Sequence, residues 1–267
     1  MPYIYRYGEK DLGNLSRVLD SGDLGAREAG MVGAFERQVA EIYGALEAIA
    51  ANAAMSLLHA SINAAGAGID DEVICDPIVQ FGAVAAMYNN AFPVFVDVDA
   101  ETLNMDPREI EDRITERTKA VVVTHLWGYP APVDKIRQIC DRRHICLIED
   151  CAHAQLAMYK DQYLGNYGHI GIFSFNHGKQ LSTGDGAVAI CNDPEFARKV
   201  RAMLIFGESP PALAWNYRMN ETTAAVASAQ YELLPDYMKQ YRRNLEIYDE
   251  ALGDTPWLAA RKLIDGG

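Results

Sequence analysis

Short β-branched runs alternate with helix-length amphipathic segments through most of this chain, and that alternation limits the fold more than any other feature. The runs are Glu72–Cys75, Pro93–Val98, Ala120–His125, Ile145–Ile148, Gly171–Phe175 and Ala187–Cys191, and the amphipathic stretches cover 54–65, 80–90, 106–116, 132–143 and 194–203. Short strands separated by helical crossovers build βαβ units, so an α/β fold with a mainly parallel central sheet flanked by helices is expected. From Met219 to about Leu252 the pattern turns helical and strand-free, while Ser21-Gly22-Asp23-Leu24-Gly25 reads as a turn. With 267 residues the chain can bury a sizeable core. The expected division is an N-terminal arm and loop at 1–30, a large domain at 31–235 and a helical start of a further domain at 236–267.

Charge and cysteine usage narrow the partners. A net charge of -13 argues against a nucleic-acid role, because phosphate-backbone binding wants a basic face. Cys75, Cys140, Cys146, Cys151 and Cys191 are odd in number and form no Cys-x-x-Cys pair, which points to reduced, buried thiols and a cytoplasmic protein. Met1-Pro2-Tyr3-Ile4-Tyr5-Arg6 lacks the apolar core of a signal peptide, and no apolar run is long enough to span a bilayer, so no membrane role is expected.

In open parallel sheets, ligands bind beyond the carboxyl ends of the strands. Asp150, His125 and Ser174 fall near such ends and are expected to converge. Lys179 lies beyond another strand, between Gly178 and the turn Gly184-Asp185-Gly186. An arbitrary lysine is usually a solvated surface charge, but here the glycines let the backbone approach a ligand. A lysine beyond one strand and an acid ending another suit pyridoxal 5′-phosphate. The amine bonds covalently to the aldehyde, and the acid keeps the pyridine nitrogen protonated so that the ring draws electrons. Phe81 is then the stacking ring and His153 a partner of the phenolic oxygen. Ser174 and the amides of the helix beginning near Ala54-Met55-Ser56 would bind the phosphate. Each has a plainer reading: Asp150 as a helix cap, His153 as a satisfied buried histidine, Phe81 as core. Rival motifs fail. Gly66-Ala67-Gly68 lacks a third glycine, Lys179 is followed by Gln180 rather than Ser or Thr, and no Gly-x-Ser-x-Gly is present. The six histidines show no metal-ligand spacing, so no metal is expected.

Read in order, these pieces resemble the DegT/DnrJ/EryC1/StrS aminotransferases, enzymes of the fold-type-I pyridoxal-phosphate class. The resemblance runs through Ser21-Gly22, Asp71-Glu72-Val73-Ile74, Pro93-Val94-Phe95-Val96-Asp97-Val98-Asp99, Arg117-Thr118-Lys119-Ala120 and His125-Leu126-Trp127-Gly128. It continues through Glu149-Asp150-Cys151-Ala152-His153, Ser174-Phe175 with Lys179, Gly184-Asp185-Gly186 and Asn216-Tyr217-Arg218-Met219. It implies a fold-type-I large domain in which Lys179 and Asp150 are catalytic, the first as cofactor lysine and proton shuttle, the second as pyridinium partner. Phe81, His153 and Ser174 keep the roles above. Asn216 matches a residue that reaches the phosphate of the neighbouring subunit's cofactor, which implies a homodimer with shared active sites. The implied reaction moves an amino group from glutamate or glutamine to a nucleotide-linked keto sugar or a cyclitol, in amino-sugar or antibiotic biosynthesis. Two positions depart from the family. Relatives usually carry Gly-Thr where this chain has Ala54-Met55, leaving helix amides and Ser56 to compensate. Relatives also continue into a smaller C-terminal domain that is largely absent before Gly267. These departures motivate the alternative of a catalytically weakened or regulatory homologue.

Overall fold

The computed structural model of the chain describes residues 7–25, 28–206, 213–253, 255, 257–258 and 261–267. The N-terminal hexapeptide weighed above as a signal sequence lies outside the described residues.

Seven strands form the central sheet: β1 (Glu47–Ala51), β2 (Glu72–Cys75), β3 (Phe92–Phe95), β4 (Thr118–Thr124), β5 (Cys146–Asp150), β8 (Ile170–Ser174) and β9 (Ala187–Cys191). Met158–Tyr159 and Gln162–Tyr163, β6 and β7, make a separate small hairpin. The sheet order is β1-β9-β8-β5-β4-β2-β3; the pairs from β8 through β5, β4 and β2 to β3 are parallel, and β9 alone runs antiparallel to both neighbours. All six expected runs are strands, within a few residues. β1 was not foreseen, because Glu47-Ala48-Ile49-Ala50-Ala51 is alanine-rich and its strand form comes from pairing with β9.

Alternation along each strand feeds two apolar layers. Val121, Val123, Leu147 and Phe173 face one cluster; Ala120, Val122, Ile148 and Ile172 face the other. The first layer is closed by α2 (Met31–Tyr43), α6 (Val133–Arg143) and α8 (Glu221–Leu252), the second by α3 (Ala54–Ala64), α4 (Phe81–Tyr88) and α7 (Pro194–Leu204). Helix starts are set by side chains: Asp193 accepts from the amides of Glu195 and Phe196, and Asn220 from that of Thr223. Within residues 1–30, Glu9–Ser21 form α1, tied to α8 by Asn14 on the Ala225 carbonyl and by Gln230 on Asp11. The stretch 106–116 is a single α turn, α5 (Pro107–Ile110), followed by a 3₁₀ turn. It stops there because the Thr118 hydroxyl takes the Thr115 amide and the Thr115 hydroxyl reaches Glu72, which draws the chain into β4. Beyond Pro235, α8 carries Tyr241, Leu245, Tyr248 and Leu252 on one exposed face.

Candidate functional site

The carboxyl ends of β2, β4, β5 and β8 open on one edge of the sheet. Strand alternation sends Glu149 and Asp150, the last two residues of β5, to opposite faces. Glu149 accepts from His125 Nε2 at 2.9 Å, from the Gly165 amide at 2.8 Å and from the Gly168 amide, while His125 Nδ1 accepts from the Ala131 amide at 3.1 Å. Gly171 on β8 admits this arrangement, because a Cβ there would lie 2.1 Å from the Gly165 Cα. His125, Glu149 and Cys151 bring ligand atoms within 4.8 Å of one another, yet the imidazole and carboxylate are spent on these protein partners. The expected convergence is therefore partial. Asp150 and Ser174 reach the sheet edge, whereas the His125 ring belongs to a closed cluster on the other face.

Asp150 is 2% exposed and accepts from the Ala152 amide at 3.0 Å. Burial pushes its carboxyl above the usual carboxylate range; Lys179 pulls it back in part, and Asp76 adds to the rise. Asp76 follows β2 and holds the amides of Ile78 and Val79 at 3.1 and 2.8 Å. Lys179 sits in the turn after β8, its amide donating to the Asn176 carbonyl at 2.9 Å. Burial lowers its ammonium below the ordinary lysine value, and Asp150 opposes that shift. His153 is held below the usual imidazole value by burial and then by the charge of Lys179. These mutual influences place Asp150, Lys179 and His153 in one electrostatic neighbourhood.

His153 Nδ1 accepts from the Trp127 amide at 3.3 Å, and its carbonyl accepts from Gln180 Nε2 at 2.6 Å. Ser174 ends β8, buried, with its Oγ accepting from the Asn176 amide at 3.4 Å. Phe81 opens α4 just past β2 and is 45% exposed, so it presents a ring face at the edge rather than filling core. The start of α3 has Ala53 as a side-chain-free cap and no acid in its first turn. Its first amides and the positive end of its dipole are thus open to an anion. Met55 is half-buried and packs against the apolar layer. Ser56 does not compensate for it: the hydroxyl is buried and donates to Asn52 Oδ1 at 2.7 Å. Asn216 is exposed beside the same helix start; its carbonyl accepts from Asn52 Nδ2 at 3.3 Å and its Oδ1 from Arg218 Nε at 3.4 Å.

This donor set fits pyridoxal phosphate. Two neighbouring acids, one fully buried, call for a cation where a pyridinium would lie. A half-buried amine of lowered proton affinity suits attack on an aldehyde, and an uncapped helix start suits a phosphate. Sequence reasoning missed Asp76, although its place directly after β2 follows the same strand-end rule. It also missed the Trp127 amide and Gln180, whose parts depend on loop geometry.

Fold and edge together define a fold-type-I large domain, and comparison with known proteins agrees. Residues 6–263 match the DegT/DnrJ/EryC1/StrS aminotransferase family. The chain is 34% identical over 225 residues to the GDP-perosamine synthase of Caulobacter vibrioides, covering 82% of this chain and 61% of that protein. It is 32% identical over 269 residues to the L-glutamine:2-deoxy-scyllo-inosose aminotransferase of Streptomyces kanamyceticus, covering 92% and 63%. The chain thus spans less than two thirds of either relative. The crystal structure of the aminotransferase TlmJ from Streptoalloteichus hindustanus superposes with a TM-score of 0.92 at 31% identity, over 97% of this chain and 73% of that one. The chain belongs to the DegT/DnrJ/EryC1/StrS aminotransferase family.

Proposed function

We propose that the chain carries the cofactor-binding and catalytic residues of a pyridoxal-phosphate-dependent aminotransferase that moves an amino group from glutamate or glutamine to a keto sugar or a cyclitol. The observation that carries this reading is buried Asp150 ending β5 and half-buried Lys179 in the turn after β8, each within reach of the other's charge. Asp150 and Asp76 supply negative charge for the pyridine nitrogen. Phe81 offers the stacking face, His153 a donor to the ring oxygen, and Ser174 with the first amides of α3 at Ala54 and Met55 the phosphate seat. The bound cofactor supplies an electron-withdrawing ring that acidifies the donor Cα. Lys179 Nζ takes that proton, and in the return half-reaction places one on the acceptor carbon; such positioned proton transfer is worth about 10²–10⁴-fold. The relatives named for GDP-perosamine and 2-deoxy-scyllo-inosose favour sugar and cyclitol acceptors, and the second favours glutamine as donor.

A homodimer with shared sites fits the surface. Phe81, Tyr88, Phe92 and Phe95 expose large apolar faces around α4 and the edge strand β3, and Asn216 stands exposed for a neighbour's phosphate. The described residues hold no helix long and apolar enough to cross a membrane. All five cysteines are buried free thiols, which supports the cytoplasm. Residues 31–235 serve as the cofactor domain and α8 beyond Pro235 as the helical start of another, while 261–267 pack back on the cofactor domain. One observation favours a second reading, a weakened or regulatory homologue: Met55 brings no hydroxyl to the phosphate seat, and that of Ser56 is committed to Asn52.

The decisive test is the visible absorption that appears when pyridoxal phosphate is added to the protein. Wild type gains it and Lys179→Ala does not; a Lys179→Ala protein that kept it would sink the assignment. Full loading without any half-reaction with glutamate or glutamine would select the second reading.

A further inference from the structure

The peptide unit joining Leu126 to Trp127 is gripped at both ends. Its N–H donates to His153 Nδ1 at 3.3 Å, and its carbonyl accepts from Arg261 Nη1 at 2.5 Å. Arg261 comes from the stretch 261–267, which lies against the body of the protein. The Lys262 amide donates to the Glu101 carbonyl at 3.1 Å, the Lys160 amide to the Gly266 carbonyl at 2.8 Å, and Ile264 packs on the main apolar layer. The guanidinium also donates through Nε to the Thr102 carbonyl, and it lies 5.5 Å from the centre of the Trp127 ring and 4.6 Å from that of Tyr129. Two carbonyls and two aromatic faces therefore hold it, while Nη2 is buried and has no hydrogen-bond partner among the described residues.

The gripped peptide leads into a backbone that resists its own shape. Trp127 has φ 55 and ψ 24, a left-handed conformation that is costly for a bulky side chain. Gly128 follows at φ 87, where a Cβ would lie 2.9 Å from the His153 carbonyl, so the loop is seated directly on His153. A cation on the carbonyl of a peptide polarises the same unit and strengthens donation from its N–H. With Nδ1 occupied as an acceptor, a neutral His153 ring carries its proton on Nε2.

We propose that Arg261 is a positioning residue: by holding the Leu126 carbonyl it fixes the Trp127 amide on His153 Nδ1, and so presents His153 Nε2–H as a donor to an anionic ligand oxygen. The use of that donor rests on the proposed cofactor reading; the grip on the peptide does not. This grip joins residues far apart in sequence through carbonyls and aromatic faces.

The test compares the 267-residue ¹⁵N-labelled chain, without cofactor, as wild type, Arg261→Ala and Arg261→Lys. Hydrogen exchange at the Trp127 amide and the ring nitrogen shifts of His153 are read by NMR. In Arg261→Ala the Trp127 amide is expected to exchange at least about tenfold faster, with the His153 nitrogens moving toward averaged values. Arg261→Lys falls between, since one ammonium cannot serve both carbonyls and both rings. Faster exchange at Lys262 with Trp127 and His153 unchanged would reduce Arg261 to a staple for the stretch 261–267 and overturn the proposal. If Arg261→Ala does not fold, Arg261→Lys and Arg261→Gln decide by the same two readouts. Failure of the wild type to bind pyridoxal phosphate would count against the proposed function and leave the exchange result intact.

Discussion

Asp150→Asn keeps the shape of the buried acid and removes its charge, which sets two forces against each other. The carboxylate is enclosed among strand ends with the Ala152 amide as a donor, and Asp76 adds like charge. Lys179 attracts it. Burial outweighs the attraction, because the carboxyl is pushed up rather than down. Ionised Asp150 thus costs folding energy in the cofactor-free protein. A buried polar group short of partners costs about 1–3 kcal/mol, so Asp150→Asn should stabilise that form by about 1–2 kcal/mol at neutral pH. For a domain of this size each kcal/mol is worth roughly 2–4 °C in Tm. A raised carboxyl contributes stability that is fully present below its unfolded pKa, about 3.9, and is lost as pH rises through the folded value. The advantage of Asp150→Asn should therefore be larger at about pH 7.5 than at about pH 4, where protonation removes the charge of wild-type Asp150. Urea unfolding of both cofactor-free proteins at the two pH values measures it. Turnover moves the other way, by a loss of about 10²–10³-fold, as for removal of one preorganised charge partner. An Asp150→Asn protein less stable than wild type at neutral pH would show that attraction to Lys179 beats burial, and would refute the reasoning.

Met55→Thr should tighten pyridoxal phosphate, since a hydroxyl at the start of α3 adds a charge-assisted hydrogen bond worth about 1–3 kcal/mol, roughly 5- to 150-fold in Kd. Fluorescence titration checks this, and an unchanged Kd would place the phosphate elsewhere. Glu149→Gln should destabilise the fold by about 2–4 kcal/mol, because Glu149 receives His125 and two backbone amides in a fully buried setting. A loss below about 1 kcal/mol in urea unfolding would deny that cluster its structural part. The amine of Lys179, lowered by burial, should react with an aldehyde probe at a lower pH than an exposed lysine does; Asp150→Asn should lower that pH further by removing the opposing charge.

Strands β2, β4, β5, β8 and β9 were legible because they are buried on both faces and read as short apolar runs rich in β-branched residues. The places of Asp150 and Lys179 were legible, because one ends the apolar run of β5 and the other lies in the glycine-flanked turn after β8. Other parts were hidden for physical reasons. β1 is alanine-rich, and its strand form is imposed by β9. α2 was readable from Val32, Phe35, Val39 and Tyr43 at helical spacing, and it was passed over. His125 shares the strand-end signal of Asp150, but one step of alternation carries the ring to the opposite face. The grip of Arg261 on Leu126 spans 135 positions and depends on a left-handed Trp127, which no local pattern announces.

The proposed site combines buried Asp150, whose carboxyl Asp76 raises further, with a start of α3 that has no side-chain cap. In the proposed function, pyridoxal phosphate would meet the acids with its pyridine nitrogen and the helix amides with its phosphate, and both contacts would add to its affinity. This gives Ala54-Met55 a different weight. The amides of α3 belong to the backbone and survive any side-chain change, so the departure there removes about one hydrogen bond and leaves the dipole. The acid pair has no such reserve. Saturating cofactor should therefore raise the Tm of wild type by more than that of Asp150→Asn, while Met55→Thr shifts the affinity without changing that difference. Equal Tm gains in wild type and Asp150→Asn would mean that the acid pair contributes nothing to holding the cofactor.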